Sequence, residues 1–407
     1  MTPNSVAVPL RQDLAIIGLV GLAHATSHFS HLLLAPLFPV FMRDFGLSFS
    51  DVGLLVSLFF VISGTGQALS GFLVDRVGAR PVLFAAIACF LVASLVASQA
   101  TGYHSLMWVA ALAGLGNAPF HPADFTILNQ RVSAPRLGHA FSAHGLTGNL
   151  GWALAPAMLV GITALADWRT AYLSAAVLYG VVLAVLFWHR EKLLTTVVPR
   201  KVEGATNEGA LDYLKLPVVW WCFAFFLLST MTLAVVQSFA PSILKSLYGI
   251  GVEAATLTVS AYMLCGAAGM LLGGFVAAIG QKNARFTSDR VVVWCMSVGA
   301  LLLLLCASGW LGGTGTMVAL AATGFAVGIG GPSRDMMIKR ATPKGATGRV
   351  YGTVYSGLDV GFALSPFVFG FFMDRGWYTW TLAGAAMTLA LAVYAAIGVG
   401  RRTTVAA

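Results

Sequence analysis

Gly138-His-Ala-Phe-Ser-Ala-His-Gly-Leu-Thr-Gly-Asn-Leu-Gly-Trp-Ala-Leu-Ala-Pro156 occurs in this chain a second time, altered but in step. The later copy reads Gly348-Arg-Val-Tyr-Gly-Thr-Val-Tyr-Ser-Gly-Leu-Asp-Val-Gly-Phe-Ala-Leu-Ser-Pro366. Gly138 aligns with Gly348, Gly151 with Gly361 and Pro156 with Pro366. Phe141 falls opposite Tyr351, Asn149 opposite Asp359 and Trp152 opposite Phe362. Each copy follows a Gly-rich apolar run closed by an Arg and a Pro: Arg131 and Pro135, then Arg340 and Pro343. Two related halves in an apolar chain imply a repeat-built membrane protein with its site between the halves.

Composition agrees with that reading. Of 407 residues, 58% are hydrophobic and only 10% charged, too apolar for a soluble chain of this length. Apolar runs reach the roughly 20 residues a helix needs to cross a bilayer, and strand-type alternation is absent. The net charge of +9 lies in short loops between these runs, which argues against nucleic acid as a partner. Cys89, Cys222, Cys265, Cys295 and Cys306 all fall inside apolar runs, without zinc spacing or a disulfide framework. Met1 to Asp13 has little basic charge and no small-residue cleavage site, so the first apolar run reads as a retained helix.

Twelve spans are expected, near 14–41, 52–73, 81–101, 105–131, 138–165, 170–189, 217–246, 252–280, 290–311, 314–340, 348–372 and 378–400. They divide into a bundle over 1–189, a polar linker over 190–216 and a bundle over 217–407. The linker carries Arg200, Lys201, Glu203, Gly204, Asn207, Glu208 and Gly209. Of the 24 Lys and Arg, only Arg43, Arg169, Lys245 and Arg375 fall on one side, Arg334 lies within a span, and the rest share the other side. The positive-inside rule then puts both termini in the cytoplasm.

The loop after the second span reads Gly71-Phe-Leu-Val-Asp-Arg-Val-Gly-Ala-Arg-Pro81. Gly71 and Gly78 allow close packing and a turn, Asp75 suits the positive N-terminus of a neighbouring helix, and Arg76 and Arg80 can hold carboxylates or lipid phosphates. Gly71, Leu73, Asp75, Arg76, Gly78 and Arg80 resemble the signature of the major facilitator superfamily. The resemblance implies an all-α integral membrane fold with two pseudo-symmetric six-helix bundles, working as a monomer in a bacterial inner membrane. It also implies that Asp75 clamps the halves while the cavity faces outward. The second half offers Gly273 to Gly280, with Ala277 where the aspartate would stand, followed by Lys282.

In the fourth span, Gly114-Leu-Gly116 and Asn117-Ala-Pro-Phe-His-Pro-Ala-Asp124 carry two prolines that loosen the backbone ladder. Phe120-His121-Pro122 looks like the fosmidomycin-resistance branch, which implies drug export in exchange for protons. Ala110 and Ala111 replace an arginine common in efflux members, and Ala155 replaces a glycine of their fifth-helix motif.

Asp124, Arg334, Asp335 and Asp359 all lie within spans. An ionised group at that depth costs a few kcal/mol or more unless paired or wet, so these four should meet in one polar cavity. Arg334 is a candidate for a substrate anion, or else a partner of Asp335 or Asp359. Asp124, Asp335 and Asp359 are candidate proton carriers. His24, His28 and His31 share one face of the first helix and read as proton relay, substrate contacts, packing, or a transition-metal site. His121, His144, Asn149, Gln237, Tyr351 and Tyr355 are further candidates for the cavity wall. No metal and no cofactor is assigned, no phosphate-binding loop supports ATP-driven transport, and no nucleophile–base pair indicates an enzyme. The expected function is alternating-access transport with protons, membrane lipids and a small molecule as partners. Export of a drug-like or organic compound is set first, uptake of an organic anion through Arg334 second, and metal transport or sensing third.

Overall fold

The computed structural model describes residues 9–47, 49–197, 211–280, 286–343 and 346–403. The core of the expected linker, Arg200 to Gly209, lies outside the described residues, as do Lys282, Arg285, Lys344 and residues 1–8. Every regular element among the described residues is helical. In the first half these are α1 Leu10–His31, α2 Phe38–Phe45, α3 Phe49–Val77, α4 Ala79–Ser98, α5 Tyr103–Asn117, α6 Phe120–Arg131, α7 Leu137–Leu165 and α8 Trp168–Trp188. In the second they are α9 Pro217–Tyr248, α10 Val252–Gly280, α11 Ser288–Ser308, α12 Gly312–Ala341, α13 Thr347–Asp374 and α14 Tyr378–Thr403.

Among the described residues, eleven stretches of helix are long and apolar enough to cross a membrane, and the fourth crossing is the broken pair α5–α6. Prolines set the break. Pro119 and Pro122 lack the N–H that would continue the ladder from α5, and both are tolerated at or before the first turn of α6. The first crossing also breaks, after His31, where a turn and Pro36 precede α2. Pro332, by contrast, sits inside an unbroken α12.

Large apolar side chains such as Leu264, Phe275, Trp294 and Trp380 lie exposed on the outside of the bundle, the surface that faces lipid. Within the first half α1 packs on α7, α4 on α8 and α3 on α5; within the second α10 packs on α12, and α9 on α13 and α14. Across the halves α3 packs most closely on α13 and α7 on α10, and α6 also meets α13 and α7 meets α12. At the loop before α8, Asp167 caps the helix by accepting from Thr170 N at 2.8 Å. That backbone hydrogen bond holds its carboxyl below the usual range.

Candidate functional site

The α3–α13 and α7–α10 pairs come together at the end of the bundle where α1 begins and α14 ends. There Asp75, in the last turn of α3, faces the first turn of α13. Its carboxylate accepts from Gly348 N at 2.9 Å, Arg349 N at 3.2 Å and Arg349 Nε at 2.9 Å. The first N–H groups of a helix have no partner within it, and the dipole there favours an anion. Gly71 explains how close the helices come: a Cβ on it would stand 2.3 Å from Gly348 O. Gly78 turns the chain at φ +87°. Beyond it, Ala79 N donates to Thr195 Oγ1, and Arg80 reaches Arg190 O and Glu191. Arg76 is exposed. Behind Asp75 lies a cavity of about 320 Å³, lined in part by Thr126, Asn129, Lys339 and Tyr351.

The mate of this contact joins α7 to α10. A Cβ on Gly138 would lie 3.0 Å from Ala277 Cβ and 3.3 Å from Gly274 O and Ala278 N. Ser142 Oγ donates to Met270 O, while its mate Gly352 presses on Gln67 O. These contacts pair Gly71 with Gly274 and Asp75 with Ala278, one residue on from the Gly273–Ala277 register read in the sequence. Gly273 instead packs against Ile329 and Pro332 of α12.

Toward the middle of the bundle, α3 and α13 continue as a polar ladder. Asp359 is 3% exposed and accepts from Gln67 Nε2 at 2.8 Å and Ser63 Oγ at 3.3 Å. Using its amide N–H on Asp359 leaves Gln67 Oε1 to accept from His121 Nδ1 at 2.6 Å. Ser63 Oγ also accepts from Asn117 Nδ2 at 2.8 Å, and Asn117 Oδ1 accepts from Ser27 at 2.6 Å and lies 3.2 Å from His31 Nε2. His121 stacks on Tyr355 with centroids 4.3 Å apart. Tyr355 donates its hydroxyl to Asp335 Oδ1 at 2.6 Å. Asp335 in turn holds Arg334 through Nε at 2.8 Å and Nη2 at 3.2 Å, a bidentate pair with the guanidinium over the Phe226 ring.

Five histidines, His24, His28 and His31 of α1, His121 of α6 and His144 of α7, gather on the first-half side of this ladder. Ring centroids run from His31 to His28 at 5.0 Å, His28 to His24 at 4.5 Å and His24 to His144 at 3.5 Å. Gly148 leaves the room they need, since a Cβ there would lie 2.7 Å from His28 Cε1. Asp124, 0% exposed, ends the row: its Oδ2 is 3.1 Å from His144 Nε2 and 3.2 Å from His24 Nδ1. Trp152 donates to His31 Nδ1 at 3.3 Å.

Asp124, Asp335 and Asp359 are therefore buried between helices, not turned to lipid, and Arg334 is 25% exposed. Tyr351 packs on Phe125 beside them, and Phe141, its mate in the repeat, packs on the same ring from the other half. Asn149 and Gln237 stand apart, pointing their amides at the sulfurs of Met270 and Met263 on α10. Sequence reasoning overlooked Ser27, Ser63, Gln67 and Asn117. Their signal was available: polar side chains inside spans, where each must find a partner.

A profile described as Major Facilitator Superfamily matches residues 20–288. The chain is 26% identical to the hexuronate transporter of Bacillus subtilis (strain 168) over 412 residues, 96% of this chain and 94% of that one. It is 25% identical to the fosmidomycin resistance protein of Escherichia coli (strain K12) over 317 residues, 74% of each. Among solved structures, the proton:xylose symporter XylE bound to 6-bromo-6-deoxy-D-glucose superposes with a TM-score of 0.77 at 14% identity, over 94% of this chain and 95% of that chain.

Proposed function

The chain belongs to the Major Facilitator Superfamily and is a multi-pass membrane transporter of small solutes; from that premise we propose that it takes up a small organic anion together with protons. The observation that carries the reading is the Arg334–Asp335 pair, its carboxylate buried and its guanidinium part-exposed, with the Tyr355 hydroxyl on the same carboxylate. While Asp335 is ionised it neutralises Arg334 and leaves it little attraction for a second anion. A proton on Asp335 removes that competition and frees two guanidinium N–H groups for the carboxylate of a substrate. Proton and anion then load together, which favours uptake and reverses the order set from sequence alone. Asp124 and Asp359 have neutral imidazole, amide and hydroxyl partners, so Asp335 is the carboxylate on which the two ligands compete. Similarity to a hexuronate transporter supports an acidic solute.

Export in exchange for protons is the second reading, favoured by Phe120-His121-Pro122 and by the similarity to a fosmidomycin resistance protein. We orient both termini inside on the asymmetry of the basic residues, and take the bacterial cytoplasmic membrane and the monomer from the family likeness. The test uses proteoliposomes, radiolabelled hexuronates and pH gradients of either sign. Uptake is expected when the proton gradient points inward. Asp335→Asn should keep counterflow but lose gradient-driven accumulation. Arg334→Gln/Asp335→Asn, which leaves no unpaired buried charge, should weaken substrate binding by about tenfold to a hundredfold, the worth of a charge-assisted pair. Normal transport by a folded double variant sinks the anion site; accumulation against an outward gradient alone supports export instead.

A further inference from the structure

We propose that His24, Asp124 and His144 form a binding site for one divalent transition-metal ion of the zinc, cobalt or nickel class. The site is distinct from Arg334 and Asp335 and does not depend on the anion reading. Three helices, α1, α6 and α7, each supply one ligand, and the three ligand atoms lie within 4.8 Å of one another. Zinc holds its ligands at about 2.0–2.1 Å, so neighbouring ligand atoms around a tetrahedral ion stand roughly 3.3 Å apart. The separations here, 3.2 Å from His24 Nδ1 to Asp124 Oδ2 and 3.1 Å from His144 Nε2 to the same oxygen, match that figure.

Hydrogen bonding alone does not account for the cluster. Among the described residues, His24 Nδ1 and Asp124 Oδ1 are buried polar atoms with no hydrogen-bond partner, although Oδ2 lies close to that nitrogen. The contact is near but not aligned as donor to acceptor. His144 Nε2 and Asp124 Oδ2 satisfy each other at 3.1 Å, but two polar atoms without a partner in a site that is 0–5% exposed are what a shared cation would satisfy. A divalent ion would balance the charge that the Asp124 carboxylate takes on when it gives up its proton to bind. Two nitrogens and one oxygen suit zinc, cobalt and nickel better than magnesium or calcium, which prefer oxygen throughout. His24, His28 and His121 form a second such group, their ligand atoms also within 4.8 Å of one another. Since all three ligands belong to the first half, the ion stays with that half and ties α1 to α6 and α7 whichever way the halves rock.

The experiment uses the full chain, purified in detergent and stripped with a chelator, then titrated with Co²⁺ while the visible d–d absorption is followed. The expected result is one Co²⁺ per chain with the strong bands of four- or five-coordinate geometry, displaced by Zn²⁺. His24→Gln/His144→Gln should weaken binding by at least about tenfold. His104→Gln/His189→Gln, outside the cluster, should leave it unchanged. A weak octahedral spectrum, no stoichiometric binding, or undiminished binding in the folded His24/His144 variant would each overturn the proposal. If that variant does not fold, X-ray absorption on the wild-type Co²⁺ form decides: outer-shell scattering from imidazole rings supports the site, and its absence overturns it.

Discussion

The contacts α3–α13 and α7–α10 are mates in the repeat, yet they are built from different chemistry. Both cross between the halves at the same end, and both bring a glycine at the second residue of a helix, Gly348 or Gly138, against the partner's backbone. The α3–α13 contact is polar at two levels, with Asp75 on Gly348 and Arg349, then Gln67 and Ser63 on Asp359, before Phe60 stacks on Phe362. The α7–α10 contact has Ala277, Ala278 and Met270 at the matching levels, with Ser142 to Met270 O as one cross-half hydrogen bond in it. Backbone symmetry has survived where chemical symmetry has not. In lipid, apolar surfaces gain little from meeting each other beyond packing. Separating the halves at this end should therefore be resisted mainly by the α3–α13 hydrogen bonds, and the α7–α10 contact should act as a passive bearing.

The most severe way to break that asymmetry is Gly71→Leu. The first carbon of any side chain there already meets Gly348 O at 2.3 Å, and three more carbons leave no rotamer that fits. Both partners are helix backbone, so neither can step aside. We expect transport to be abolished and the terminal end to stay open, at a cost above about 3 kcal/mol for the closed form. Asn129→Cys, in the cavity behind Asp75, reports the opening: a membrane-impermeant maleimide should label it freely in the leucine variant and slowly in the parent. Retained transport with slow labelling would show that the close approach is not needed for the cycle.

Asp75→Asn is milder and aims at charge alone. The amide keeps the shape of the side chain and can still accept from one backbone N–H, but it loses the ion pair with Arg349 at 2.9 Å. Hydrogen bonds to charged groups contribute about 1.5–3 kcal/mol, so the closed form should lose roughly tenfold to a hundredfold in population. Maleimide labelling of Asn129→Cys should rise accordingly, with transport falling. Unchanged labelling would mean that the helices are held by packing at Gly71 and not by the carboxylate.

Much of this arrangement was legible in the chain. Apolar runs of span length and the doubled Gly138–Pro156 stretch give the helices and their pairing, since both signals are local or repeated. The break in α5–α6 follows from Pro119 and Pro122, whereas Pro332 does not break α12, because neighbouring helices accommodate it. The register of the second-half motif was missed by one residue because Gly273 and Gly274 are adjacent and identical, and only contact with Gly138 tells them apart. The buried charges were visible as charges, but their partners were not. Asp124 meets His24 from 100 positions away in the sequence, and Asp359 meets Gln67 from nearly 300. Such pairings depend on which face each helix turns inward, and one sequence does not carry that.

The smallest expected effect comes from giving the passive contact the group it lacks. Ala278 is the positional mate of Asp75, and Gly138 and His139 occupy the same second and third helical positions in α7 that Gly348 and Arg349 occupy in α13. An aspartate at 278 would reach the same kind of N–H pair, at a helix N-terminus that favours negative charge by about 0.3–1 kcal/mol. Ala278 is part-exposed, as Asp75 is, so the new carboxylate need not lose all its water. Ala278→Asp should thus slow transport by about twofold to fivefold, because the halves now part against two latches. Labelling of Asn129→Cys should fall in proportion. The combination Asp75→Asn/Ala278→Asp sharpens the comparison further. Recovery of slow labelling would show that the two contacts are interchangeable and that only the position of one carboxylate distinguishes them. Labelling as fast as in Asp75→Asn alone would show instead that α7–α10 is shaped as a bearing, with its N–H groups out of reach.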